Sequence, residues 1–184
     1  MTKITNTRPA VFLDRDGTLI EDVDHLDSVE GIAVLPNTLE ALHLLKNAGY
    51  LLIVVTNQSG VGRQLFDLET VNVINQALAD ELDGLIDAFY FCPHLPTDNC
   101  VCRKPKAWLI SQAVDELDID LPDSWFIGDK KSDVETGFNA GIATALVLTG
   151  YGESEMKKLD RLPDHVADDL LSAAREIVSR TDHR

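Results

Sequence analysis

Ala10-Val-Phe-Leu-Asp14-Arg-Asp16-Gly17-Thr18 decides how this chain reads. Four apolar residues in a row predict a short buried strand. The strand ends in two aspartates spaced i, i+2, and a glycine follows. In open α/β sheets, ligands bind beyond the C-terminal ends of the strands. Two carboxylates this close repel each other, so a positive group is expected between them. Mg2+ meets that need, because it is a hard cation that takes one or two carboxylates together with substrate phosphate oxygens. Taken alone, the same residues also read as a strand running into an Asp-Gly turn.

The pattern recurs along the chain. Tyr50-Leu-Leu-Ile-Val-Val55 leads into Thr56-Asn57-Gln58-Ser59-Gly60. Arg103-Lys104-Pro105 follows a Cys/His cluster, and Ser124-Trp-Phe-Ile127 leads into Gly128-Asp129-Lys130-Lys131-Ser132-Asp133. Each polar group follows a strand candidate, so all can meet at one edge of one sheet. Strands are predicted at 10–14, 50–56, 87–91, 124–128 and 144–148. Helices are predicted at 37–48, 67–83, 106–117, 131–140 and about 167–180. Asn37 and Asp67 read as N-caps, and Gly49, Gly84 and Gly141 as stops. Alternating strands and helices imply an α/β fold, a Rossmann-like parallel sheet with helices on both faces. The gaps after Thr18 and Gly60 are too short for a cap domain, so an open site is expected. The whole of 1–184 reads as one domain.

Asp-x-Asp, then Thr, then Lys, then Gly-Asp-x-x-x-Asp, in that order, resembles the haloacid dehalogenase superfamily of phosphohydrolases. The resemblance covers roughly the first 150 residues. It implies a phosphomonoesterase with Asp14 as nucleophile, forming an aspartyl-phosphate that water then hydrolyses. Asp16 is implied as general acid and then base, and as a metal ligand through its backbone carbonyl; the alternative is a metal ligand only. Thr56 and the Asn57 backbone N–H are implied to hold phosphate oxygens, although Thr also suits a strand end for its β propensity. Lys104 would neutralise Asp14 and the phosphoryl charge. Asp129 is the expected third Mg2+ ligand beside Asp14 and Asp16. Asp133 would orient the metal site or Lys104, or simply complement a helix dipole.

Composition sets limits. The apolar fraction of 45% is enough for a core, and the net charge of −15 argues against nucleic acid or an anionic membrane as partner. A phosphate-binding site in so acidic a protein needs a local positive point, which Mg2+, Arg103 and Lys104 would supply. No apolar stretch reaches the roughly 20 residues that span a bilayer. Residues Met1 to Arg8 lack the apolar core of a signal peptide, so a cytoplasmic location is expected.

Cys92-Pro-His94 and Cys100-Val-Cys102 hold all three cysteines of the chain. Four soft ligands so close together match a closed tetrahedral zinc site. The alternative is free thiols or a disulfide, which a reducing compartment disfavours. A structural Zn2+ here would position Arg103 and Lys104, which follow at once.

Cys-Pro-His-Leu-Pro…Cys-x-Cys-Arg-Lys-Pro is similar to the branch holding the histidinol phosphatases and the heptose bisphosphate phosphatases. The short loop from His94 to Cys100 resembles the former. Ser59 in Thr56-Asn-Gln-Ser59-Gly, and Val147-Leu-Thr-Gly150-Tyr-Gly, resemble the latter. The loop Asp22-Val-Asp-His25 lacks the Gly-Tyr often seen in heptose enzymes. The resemblance implies substrate contacts from Asp22, His25, Asn57, Gln58, Ser59 and Arg103. The expected substrate is a small phosphorylated metabolite, a sugar bisphosphate first and histidinol phosphate second. A non-catalytic zinc-loop binding module on the same fold is the rival of another class.

Overall fold

The computed structural model describes residues 7–181. The expectation for the N-terminal leader falls mostly on residues 1–6, outside those described. Six strands form one all-parallel sheet: β1 (Arg8–Leu13), β2 (Leu51–Asn57), β3 (Ala88–Cys92), β4 (Ile119–Gly128), β5 (Ala143–Val147) and β6 (His165–Ala167), in spatial order β3-β2-β1-β4-β5-β6. Between them run α1 (Thr38–Asn47), the single turn α2 (Ser59–Gly62), α3 (Leu68–Glu81), α4 (Trp108–Glu116), α5 (Lys131–Ala140) and α6 (Gly152–Met156), and α7 (Leu170–Thr181) closes the chain.

β2 is buried along nearly its whole length, as strands covered on both faces are. Side chains still alternate between two cores. Val11, Leu13, Leu52, Val54 and Ile127 face α1, α3 and α7 through Leu42, Leu45, Ile74, Leu78 and Ile177. Ala10, Phe12, Leu51, Ile53 and Phe126 face α4 through Leu109, Ile110 and Ala113. The chain moves outward from β1 in one direction through β2 and β3, then in the other through β4, β5 and β6. The strand order therefore reverses between β1 and β4, which is where open α/β sheets form their crevice.

The predicted elements are present, with differences at the ends. Asp67 caps α3, accepting a hydrogen bond from Thr70 N at 2.8 Å. Asn37 stands at the N-cap of α1 but makes no side-chain capping hydrogen bond. Its backbone is left-handed (φ 65°), and its amide donates to Asp169 instead, tying α1 to the start of α7. The last helix begins at Leu170 rather than 167, because residues 165–167 add β6 to the sheet edge. No cap domain interrupts the described chain. The segment from β1 to α1 carries one 3-10 turn, and that from β2 to α3 only α2. No helix among the described residues is long and apolar enough to cross a membrane.

Candidate active site

β1 delivers Asp14 to the crevice and β4 delivers Asp129, at neighbouring C-terminal ends. Asp133 joins them from the first turn of α5. Carboxylate oxygens of these three buried residues lie within 4.8 Å of one another. Lys104, only 4% exposed, reaches in from the loop before α4. Its Nζ lies 2.9 Å from Asp14 Oδ1 and 2.7 Å from Asp133 Oδ1, and donates to Val55 O at 2.8 Å. Lys104 thus makes two buried ion pairs and a hydrogen bond to a backbone carbonyl. Phe126 lies beneath it, 5.4 Å from Nζ to the ring centroid. Asn57 holds the Lys104 backbone by donating to Lys104 O and accepting from Lys104 N.

The charges settle in opposite directions. Burial opposes ionisation of Asp14, yet Lys104 and Lys130 outweigh it and hold that carboxyl below its ordinary range. Burial, then the charges of Asp14 and Asp133, push Asp129 up to about 8. Burial and Asp14 likewise push Asp133 up to about 6. Burial opposes the charge of Lys104, but Asp133 and Asp14 raise its pKa overall. Lys104 sits among these three buried carboxylates, while Lys130, nearby, is also paired with Asp22, so acidic groups outnumber the cations and Asp129 is the one driven towards its protonated form. Asp129 Oδ2 accepts from Tyr151 N at 2.9 Å, whereas its buried Oδ1 has no hydrogen-bond partner among the described residues. An oxygen-only donor set with one unpartnered buried oxygen suits a hard cation such as Mg2+.

Close backbone packing makes room for Asp129. A Cβ on Gly17 (φ +87°) would lie 2.3 Å from Asp129 Oδ2, and one on Gly150 (φ +54°) would lie 2.4 Å from it. Thr149 Oγ1 donates to Gly17 O at 2.6 Å and clips the two loops together.

A cavity of about 270 Å3 opens above these groups. Of the predicted site residues, Asp14, Asp16, Asp22, Thr56, Asn57, Ser59, Arg103 and Lys104 line it. His25 is half-buried and does not. Gln58 is buried beneath it, with Nε2 donating to Asp16 Oδ2 and Thr56 Oγ1, both at 2.9 Å. It holds these two residues rather than the cavity wall. The Asp16 carboxylate is not part of the cluster of Asp14, Asp129 and Asp133, and it accepts from Arg15. Lys130 and Tyr151 also line the cavity, though no role was expected of them. Lys130 Nζ pairs with Asp22 at 2.7 Å and sits 5.4 Å from the Tyr151 ring centroid. Its position next to Asp129 was the available signal.

Beside this cavity, Cys92, His94, Cys100 and Cys102 converge. Cys92 Sγ lies 3.5 Å from Cys100 Sγ and 3.2 Å from Cys102 Sγ, while His94 Nδ1 lies 3.3 Å from Cys102 Sγ. A disulfide would bring two sulfurs to about 2.05 Å, and all three cysteines are free. Zinc bonds of about 2.3 Å to sulfur and 2.0 Å to nitrogen give tetrahedral edges of about 3.5–3.8 Å. The four groups lie close enough together to hold a metal ion of that kind. Burial first, and then the neighbouring Cys102 and Cys100 thiols, push the Cys92 thiol up to about 12, a cost that a coordinated cation would remove.

The chain is similar to known proteins. The profile of the HAD-hydrolase-like family matches residues 101–173. A D-glycero-beta-D-manno-heptose-1,7-bisphosphate 7-phosphatase of Pseudomonas putida is 34% identical over 172 residues, covering 91% of this chain and 98% of its own. The Helicobacter pylori protein of that name is 41% identical over 147 residues, covering 78% and 85%. The chain belongs to the heptose-1,7-bisphosphate 7-phosphatase family. This haloacid-dehalogenase-like family makes it a phosphatase. The D,D-heptose 1,7-bisphosphate phosphatase of Bordetella bronchiseptica, solved with magnesium and phosphate, superposes with a TM-score of 0.86 at 33% identity, covering 94% of this chain and 99% of that one.

Proposed function

We propose that this heptose bisphosphate phosphatase family member is a Mg2+-dependent, capless phosphomonoesterase that removes the 7-phosphate of D-glycero-D-manno-heptose 1,7-bisphosphate. The chain is read as one catalytic domain working in the cytoplasm, where thiols stay reduced. The observation that carries the reading is the pair of Asp14 and Lys104 at the floor of a cavity edged by Arg103.

Asp14 Oδ1 is engaged by Lys104 and by Arg15 N, so Oδ2 is left to attack phosphorus. The Asp14 Oδ2–P bond forms as the ester P–O bond breaks, and Asp16 gives its proton to the leaving oxygen. Water then attacks phosphorus, Asp16 takes its proton, and the acyl-phosphate bond breaks to release phosphate. Thr56, Asn57 and Lys104 hold the transferring group against the nucleophile. Asp14, Asp129 and the Asp16 carbonyl would hold Mg2+, which when bound would shield phosphoryl charge and relieve the repulsion among the buried carboxylates.

Zn2+ is the proposed occupant of the Cys/His site, with a structural role. Cys102 is two residues from Lys104, so the metal sets where both cations emerge. The purified protein is expected to hold about one zinc per chain, and Cys100→Ser to lose it with weaker substrate binding. Elemental analysis checks this; a metal-free protein after expression with added zinc rules the site out.

Substrate preference follows from charge at the mouth. Arg103 Nη1 donates to His94 O at 3.1 Å, which steadies a guanidinium fork suited to a second phosphate. Histidinol phosphate would need an acidic contact for its amine. Ser59 offers no charge and Asp22 is already paired with Lys130, which leaves Asp24, held by the Tyr151 hydroxyl, as the acidic group that such an amine would use. The bisphosphate is expected to exceed histidinol phosphate in kcat/KM by at least about tenfold, roughly 1.4 kcal/mol of transition-state binding. Arg103→Ala should shrink that margin more than it slows an aryl phosphate. Side-by-side kinetics decide, and a preference for histidinol phosphate would reject the heptose assignment while leaving the phosphatase chemistry standing.

A further inference from the structure

Arg15 is the largest fully buried side chain among the described residues, and no step above uses its guanidinium. Its Nε donates to Asp16 Oδ2 and its Nη2 to Asp16 Oδ1, both at 3.1 Å. Its Nη1 donates to Asn75 Oδ1 at 3.1 Å, on the buried side of α3. Burying a guanidinium is costly unless its donors are met by charge and hydrogen bonds. Here that cost is spent on one carboxylate.

The fork does something that a single cation could not. Two parallel donors fix the plane of a carboxylate, whereas an ammonium acts as a point charge. A carboxylate offers about four lone-pair positions. Arg15 occupies two and Gln58 a third. The position left is on Oδ1, and Asp16 borders the cavity. We propose that Arg15 is a positioning residue for proton transfer by Asp16, with Asn75 locking the guanidinium from the helix behind it. Arg15 itself exchanges no proton. It orients the one oxygen that gives a proton to the leaving group and later takes one from water. The inference rests on the reading of Asp16 as acid and base.

Leaving-group dependence tests it, because kcat/KM reports only steps up to departure of the leaving group. A good aryl leaving group needs little help from an acid, whereas an alkyl oxygen needs much. Wild type, Arg15→Lys, Asn75→Ala and Asp16→Asn are compared on p-nitrophenyl phosphate, phenyl phosphate and glycerol phosphate. For Arg15→Lys, the ratio of kcat/KM on p-nitrophenyl phosphate to that on glycerol phosphate should rise at least about 30-fold, within the range that general acids contribute. Asn75→Ala leaves the charge in place and should shift the ratio the same way, by about three- to tenfold. It carries the test if Arg15→Lys does not fold. A fall of equal size on all three substrates overturns the proposal, since that is what a purely structural role produces. Asp16→Asn separates the two readings. If it too leaves the ratio unchanged, the acid/base assignment fails; if it raises the ratio and the soluble Arg15 and Asn75 variants do not, only the positioning role fails.

Discussion

Asp14→Asn should lower kcat by at least about ten-thousandfold, as loss of a covalent nucleophile does. The substitution keeps the shape of the side chain and removes its anion. Lys104 then faces only Asp133 and Val55 O, and no aspartyl-phosphate can form. Removal of the Asp14 charge also relieves Asp129 and Asp133, whose upward shifts it helps to cause. Because Lys104 and Lys130 hold the Asp14 carboxyl below its ordinary range, its charge also favours the fold, so a fall in Tm, partly offset by that relief, is expected beside the far larger loss of turnover. That disproportion separates a chemical from a structural effect. Mass spectrometry of acid-quenched protein should find the phosphoenzyme in wild type and none in Asp14→Asn. Asp16→Asn, which keeps the nucleophile, should still trap phosphate on Asp14 while turning over slowly. Ordinary turnover by purified Asp14→Asn would sink the assignment.

Much of this site could be read from the chain because of where its residues stand. Asp14, Thr56 and Asp129 each end or follow an apolar run, and a parallel sheet aligns such ends in space. The Cys/His set was legible from local spacing alone. Other parts depend on contacts between distant segments. Nothing in the residues around Asp67 to Leu82 marks Asn75 as the partner of an arginine sixty positions earlier. Gln58 lay inside a recognised motif, yet only the fold shows that its amide faces Asp16 and Thr56. Asn37 had the composition of a cap, but its left-handed backbone turns its amide toward Asp169. β6 is three residues long and stands in the charged tail, too short for a periodic signal.

Lys104→Met should damage both activity and stability, and the two losses should be separable. Lys104 is 4% exposed and lies within 3 Å of two carboxylates. Removing one partner of a buried ion pair leaves an uncompensated charge, which costs about 3–5 kcal/mol. For a chain of this size, each kcal/mol lowers Tm by about 2–4 °C, so a fall of roughly 6–20 °C is expected by calorimetry. Lost stabilisation of the phosphoryl charge should reduce kcat by about a hundred- to a thousandfold. Asp133 is the residue that distinguishes the two effects. It is fully buried, and its carboxyl is already pushed up to about 6, with Lys104 opposing the push. Adding Asp133→Asn to Lys104→Met removes one of the stranded charges, so much of the lost Tm should return. Activity should not return, because the cation beside Asp14 is still missing. Recovery of turnover along with Tm would mean that Lys104 serves only to neutralise Asp133 and takes no part in phosphoryl transfer.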